Sequence, residues 1–351
     1  MSLGSATPAL AAALLFGAST PLAKLLLGGT PPLLLAGLLY LGSGIGLGAM
    51  LALRRLRPVR VAAPMRIPRA DLPWLLGAIV FGGMLGPGLL MWGLTRTDGA
   101  TASLLLNVEG MLTALLAWWV FKENADRRIV LGMLAIVAGG LLLSWEPGAS
   151  SLSTGALLIV AACLCWAIDN NLTRKVSAND AMLVACLKGL LAGACNTGLA
   201  LAAGAALPAS GAAAAALGVG FLGYGLSLTL FVVGLRTLGT ARTGAYFSVA
   251  PLFGVLVSLL LWPQRPTLLF WSAAVLMAVG VWLHLRERHE HEHTHEPLEH
   301  AHAHRHDAHH RHAHDFDWDG VEPHVHVHRH LPLMHRHPHY PDIHHRHGHA
   351  R

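Results

Sequence analysis

Ten apolar runs, each about as long as a bilayer is thick, limit what this chain can fold into. A helix needs about 20 apolar residues to cross a hydrocarbon core. Such runs occupy about 8–28, 31–53, 73–94, 100–121, 128–145, 154–173, 181–203, 211–235, 241–262 and 267–285. Inside lipid a segment must satisfy its own backbone hydrogen bonds, so the runs read as helices. Breaks such as "GGTPP", "TRTDG", "EPGASS" and "WPQRP" separate them, and Gly and Pro there end helices. The mildest run is the eighth, with "SGAAAAALG". The opening "MSLGSATPALAAALLFG" has no charged segment before its apolar run, so that run reads as a retained helix and not a cleaved signal. Small residues recur at helical spacing in "GSGIGLGAM" and "GMLGPG", where they let helix backbones approach closely.

Charge separates this body from the C-terminal segment. Residues 1–283 hold 17 Lys and Arg against 8 Asp and Glu, a net of +9; residues 284–351 hold 8 against 11, a net of −3. The basic excess lies in short loops rather than on one face, which argues against a nucleic-acid partner. Cys163, Cys165, Cys186 and Cys195 lie in apolar segments without a CxxC pair, so they read as buried small hydrophobes. No GxxxxGK[ST] motif occurs, which removes support for ATP-driven pumping. A His-based serine protease in the membrane also finds no support, because residues 1–283 contain no histidine.

Loop charge orients the helices, because cytoplasmic loops collect Lys and Arg. Arg54, Arg55, Arg57, Arg60, Arg66 and Arg69 follow the second run; Lys122, Arg127 and Arg128 the fourth; Arg174 and Lys175 the sixth; Arg236 and Arg242 the eighth. The opposite loops hold Arg96 and Arg265 and little else, with Lys24 near a helix end. The expectation is ten spans with both termini cytoplasmic, in a plasma membrane such as a bacterial inner membrane.

"GLTRTDGATASLLLNVEGMLTALLAWWVF" from Gly93 aligns without a gap on "GLRTLGTARTGAYFSVAPLFGVLVSLLLW" from Gly234, an offset of 141. "FGASTPLAK" from Phe16 aligns more weakly on "WAIDNNLTR" from Trp166, an offset of 150. The expected organisation is two five-helix repeats, 1–146 and 147–285, followed by a disordered tail, 286–351. With an odd number of spans per repeat, the second lies inverted in the membrane, as in many secondary transporters with a midplane substrate site.

These stretches, together with "KENADRRIVLGMLAIVAGGLLL" and "RPTLLFWSAAVLMAVGVWL", resemble the drug/metabolite transporter superfamily, specifically its EamA-type members. The resemblance covers about 8–285. It implies an alternating carrier for a small molecule, often an exporter, and not an enzyme. The chain departs from the usual pattern of a small residue followed by Pro: the second repeat has Ala250-Pro251, the first Glu109-Gly110.

An ionisable residue inside a bilayer costs several kcal/mol unless paired or hydrated, about +2.5 to +3.5 on insertion scales, which marks it as functional. Glu109 lies mid-run, with Asn107 two residues before and Thr113 one turn after on its face. It reads as a proton- or cation-binding carboxylate. Asp169, Asn170 and Asn171 fall on Ser19, Thr20 and Pro21 in the repeat. Successive helical residues diverge by about 100°, so these three do not share one cavity. Lys188 reaches the depth of Asp169, and an ion pair is expected. Asn196 reads as an interhelical hydrogen bond. Trp166 and Tyr246 are deep enough to line a cavity.

All 24 histidines lie between His284 and His349. Imidazole suits zinc, nickel, cobalt and copper. His291, His293, His295, His302, His304, His306, His326, His328 and His330 are the candidate ligands. The tail thus reads as a metal-binding extension, and no cofactor is required for the body. A metal cargo would need ligands inside the helices, where Glu109, Asp169, Met84, Met111 and Cys165 would have to serve. The expectation is therefore a carrier of a small metabolite, monomeric or homodimeric. The alternatives are a divalent-metal exporter or a metal-responsive sensor.

Overall fold

A computed structural model of the chain describes residues 7–56, 67–121, 127–144, 153–176, 179–238, 246–285, 290–294, 299–304, 324–329 and 334–338. They divide into two compact units, Met1–Ala52 with Ile67–Glu287 and Leu53–Arg66 with Arg288–Arg351.

The larger unit is helical. Its elements are α1 Thr7–Leu26, α2 Pro32–Leu56, α3 Leu72–Ala78, α4 Gly86–Leu94, α5 Gly99–Leu105, α6 Asn107–Phe121 and α7 Arg127–Ser144. They continue with α8 Thr154–Lys175, α9 Ala181–Ala202, α10 Ser210–Gly220, α11 Ser227–Leu238, α12 Ala250–Leu261 and α13 Leu268–Leu285. Six described segments are long and apolar enough to cross a membrane: Thr7–Leu26, Pro32–Arg54, Arg69–Leu94, Thr154–Thr173, Ala181–Ala202 and Ser210–Phe231. Val130–Leu143, Ala250–Leu261 and Leu268–Leu283 are apolar but shorter. The fourth run is divided at Leu106 into α5 and α6. The caps arise from the sequence: Asp98 accepts from the Ala100 and Thr101 amides, and Asp180 from those of Met182 and Leu183, as an N-cap carboxylate does.

Two spans contain a π-helical turn, Ile79–Leu85 between α3 and α4 and Phe221–Leu226 between α10 and α11. The Gly86 amide donates to Phe81 O and the Ser227 amide to Leu222 O. The offset of 141 carries the first bond onto the second. Such a turn widens the helix and releases carbonyls for other donors.

Packing also exchanges under the offsets. A Cβ on Gly82 would lie 1.8 Å from Asp169 Oδ2, and one on Gly223 would lie 2.5 Å from Ser19 Cβ. Gly139 packs on Met277 and Ala273 O, and Gly280 on Ile136 and Gly132 O. Each contact maps onto its counterpart with the partners swapped. α2 and α9 meet through Gly44 and Gly189, each close against the other's backbone. Such contacts hold helices at backbone distance, where dispersion does most of the work in lipid.

The described residues of the tail form four short strands, β1 Glu290–Thr294, β2 Glu299–His304, β3 His324–Arg329 and β4 Met334–Pro338. β1 pairs antiparallel with β4, and β2 with β3. "HAHAH" and "HVHVH" alternate with period two, the period of a strand.

Candidate functional site

A cavity of about 260 Å³ is lined by α1, α5, α6, α7, α12, α13 and, ahead of α12, Phe247 and Ser248. Phe16, Gly17 and Thr20 come from α1, and Ser103, Leu106, Asn107, Glu109 and Met111 from the broken fourth run. Phe247, Ser248, Ala250 and Pro251 face them, with Ile136 and Val281 completing the wall.

Both helix breaks border this cavity. α6 begins at Asn107 after the turn at Leu106, and α12 begins at Ala250 after the turn at Ser248 and Val249. The Glu109 amide donates to Leu106 O and the Leu252 amide to Val249 O, each three residues back. The two bonds lie 143 residues apart, two more than the offset of 141. Carbonyls freed at the first break find donors: Asn107 Nδ2 lies 2.9 Å from Leu104 O, and Cys163 Sγ 3.7 Å from Leu105 O. Non-helical backbone at membrane depth is tolerated where it lines a cavity. Here it also puts Glu109 in the first turn of α6, where peptide dipoles favour negative charge.

Glu109 lies between the cavity and α8. Asn170 Nδ2 donates to Glu109 Oε1 at 3.0 Å and to Thr113 Oγ1 at 3.2 Å, while Thr113 Oγ1 donates to Glu109 O at 2.9 Å. Asn171 Nδ2 donates to Ala167 O and Thr113 O. Asp169 points elsewhere. Lys188 Nζ donates to its two oxygens at 2.7 and 2.6 Å, and Thr173 Oγ1 to Oδ1 at 2.9 Å. The pair is mostly buried, at 8% exposure for Asp169 and 16% for Lys188. Adjacent residues of one helix thus serve two places, Asn170 the cavity carboxylate and Asp169 the ion pair.

The π-turn is satisfied from three sides. Tyr40 Oη donates to Gly82 O at 2.6 Å, as does Trp166 Nε1 at 3.0 Å. Asn196 Nδ2 reaches Gly83 O and Met84 O at 3.2 and 3.3 Å.

Of the residues read as site candidates, Asn107 and Glu109 line the cavity, and Asn170 joins through Glu109. Asp169, Lys188, Trp166 and Tyr246 are not among its lining residues: two form the ion pair and Trp166 holds the π-turn. The sequence reading does not single out Phe16, Ser103, Phe247 or Tyr40. The aromatics form a chain, with ring centroids at 5.6 Å for Tyr40–Tyr224, 6.1 Å for Phe16–Tyr224 and 5.5 Å for Phe16–Phe247. Single aromatic residues in apolar runs carry no spacing signal that would mark them. Among the described residues no three His, Cys, Asp or Glu side chains form a metal-holding group. His295, His306 and His330 lie outside the described residues.

The sequence pattern of EamA-like transporters matches residues 6–145 and again residues 153–286. The chain belongs to the EamA-like transporter family. An uncharacterized transporter of Methanothermobacter thermautotrophicus is 27% identical over 298 residues, 78% of this chain and 83% of that one. A probable 4-amino-4-deoxy-L-arabinose-phosphoundecaprenol flippase subunit of Pseudomonas aeruginosa is 42% identical over 77 residues, 21% of this chain and 63% of its own. One solved crystal structure shares the fold, with a TM-score of 0.57 at 20% identity over 79% of this chain and 95% of that one. With its apolar spans, the EamA-like chain is an integral membrane protein of a transporter family.

Proposed function

We propose that the chain is a secondary carrier that exports a small polar metabolite by alternating access, with Glu109 as the residue that binds the coupling proton. The observation that carries this reading is Glu109 on the wall of a cavity bordered by both helix breaks. Discontinuous helices lie at the substrate sites of many secondary transporters. The cavity, about 260 Å³, is smaller than the ~300–1,000 Å³ clefts that take drug-sized ligands, which favours a compact metabolite. The Pseudomonas relative's name brings in a lipid-linked sugar phosphate, of which at most the polar head suits that volume. In this reading ten spans form two inverted halves, both termini are cytoplasmic, and the chain works as a monomer or homodimer.

The test compares released metabolites from cells overproducing the wild type, Glu109→Gln or no carrier. One released compound rises with the wild type and stays at background with Glu109→Gln. Equal release by the variant overturns the coupling role, and no released compound overturns export. The competing readings, a divalent-metal exporter or a metal sensor, predict that truncation after Arg288 changes metal tolerance.

A further inference from the structure

We propose that α12 closes against α1 and α5 as the gate at one end of the cavity, with Lys24 and Asp98 as the latch that positions it. This rests on the alternating-access reading, in which each end of the cavity opens in turn. Ala250, Gly254 and Ser258 recur every four residues, so they lie along one face of α12. Gly17 of α1 meets the first: a Cβ there would lie 2.0 Å from Ala250 O. A Cβ on Gly254 would lie 2.5 Å from Ser103 Oγ of α5 and 2.9 Å from Gly17 O. A Cβ on Gly99, at the start of α5, would lie 2.6 Å from Ser258 Oγ and 3.5 Å from Trp262 Cζ3. Gly17, Ser103 and Ala250 belong to the cavity wall. With a rise of 1.5 Å per residue, the contacts run on for about 12 Å from Ala250 to Ser258. The three glycines, Ala250 and both serines are buried. This seam is shut at backbone distance.

Two features set a seam that parts apart from fixed packing. Ser258 Oγ is buried and has no hydrogen-bond partner among the described residues. A buried hydroxyl left unpaired is costly, and water relieves that cost once the seam parts. Pro21 lies inside α1 and has no N–H to give Gly17 O, so α1 lacks a helix bond at the level of the seam, where a helix bends. Polar groups tie the far end. Lys24 Nζ donates to Leu94 O at the end of α4. Asp98 caps α5 and attracts the Lys24 ammonium. Gln264 Nε2, two residues past Trp262, reaches Asp98 Oδ1 at 3.5 Å. The latch therefore joins α1, α4, α5 and the segment after α12, the elements that must separate for that end to open.

The experiment puts one reporter thiol on the cavity wall, Thr20→Cys, in a full-length chain carrying Cys163→Ala, Cys165→Ala, Cys186→Ala and Cys195→Ala. Right-side-out and inverted vesicles are treated with a membrane-impermeant thiosulfonate, and the rate of labelling is measured. Arg96→Cys in the same background identifies the face on which Asp98 lies. From that face the reporter reacts slowly. Lys24→Met raises its rate about tenfold, the effect of one lost hydrogen bond to a charged group, while Lys24→Arg keeps the slow rate. Asp98→Asn keeps the cap but not the charge, and raises the rate as well. Ser258→Ala removes the unpaired hydroxyl and lowers it. Rates from the Asp98 face that do not change in Lys24→Met and Asp98→Asn overturn the gate. An equal rise from both faces also overturns it, because that marks a loosened fold. Release of metabolite by Glu109→Gln cells is read separately: a gate that opens in a chain releasing no compound refutes export alone, and unchanged labelling in an exporting chain refutes the gate alone.

Discussion

Replacing Lys188 with Met tests whether the Asp169–Lys188 pair holds α8 to α9. The ammonium gives Asp169 two short hydrogen bonds at 2.6 and 2.7 Å, and hydrogen bonds to charged groups contribute about 1.5–3 kcal/mol each. Without Lys188 the carboxylate keeps Thr173 and is otherwise left with a buried charge. Breaking one partner of a buried pair costs about 3–5 kcal/mol, and the partly open edge at Lys188 places the expectation near the lower end, about 3 kcal/mol. Asp169→Asn together with Lys188→Met removes both charges, so the double variant recovers about 2 kcal/mol of that loss. Reversible unfolding in detergent micelles, run as a double-mutant cycle, measures the coupling. A coupling below about 0.5 kcal/mol, the level of independent sites, refutes the reasoning.

Gly82→Ala would put a methyl group 1.8 Å from Asp169 Oδ2; the expected loss is about 3 kcal/mol or more, whereas Gly198→Ala, with nothing within 4 Å, leaves thermal unfolding unchanged or raises it. Trp166→Phe removes one of two donors to Gly82 O and costs about 1 kcal/mol beyond lost packing, read by the same unfolding assay. Ser258 Oγ is buried and has no hydrogen-bond partner among the described residues, so Ser258→Ala is neutral or stabilising by up to about 1 kcal/mol; a loss above that value contradicts it.

Much of this arrangement is legible in single residues. Glu109 stands out because a carboxylate in an apolar run needs a reason, and Lys188 reaches Asp169 because helical rise sets depth. The break at Leu106 is not legible. "LLLNV" has neither Gly nor Pro, and the turn depends on donors from Asn107 and Cys163. The π-turns are equally hidden: the glycines at 82 and 223 are visible, but Tyr40, Trp166 and Asn196 supply the donors from distant elements. In the tail, the period-two pattern is visible but reads equally well as low complexity. Register is a property of two segments together, and neither one shows it alone.

The swapped glycine contacts, Gly139 on Ala273 and Gly280 on Gly132, are those of a two-fold dimer written into one chain. A true homodimer must change both copies at once. Here each position exists twice and can change once. The offset of 141 sets Glu109 on Ala250, and both line the same cavity. A homodimer would bring two carboxylates to that wall and their mutual repulsion with them. The fused chain keeps one, and leaves the opposite position to shape the wall.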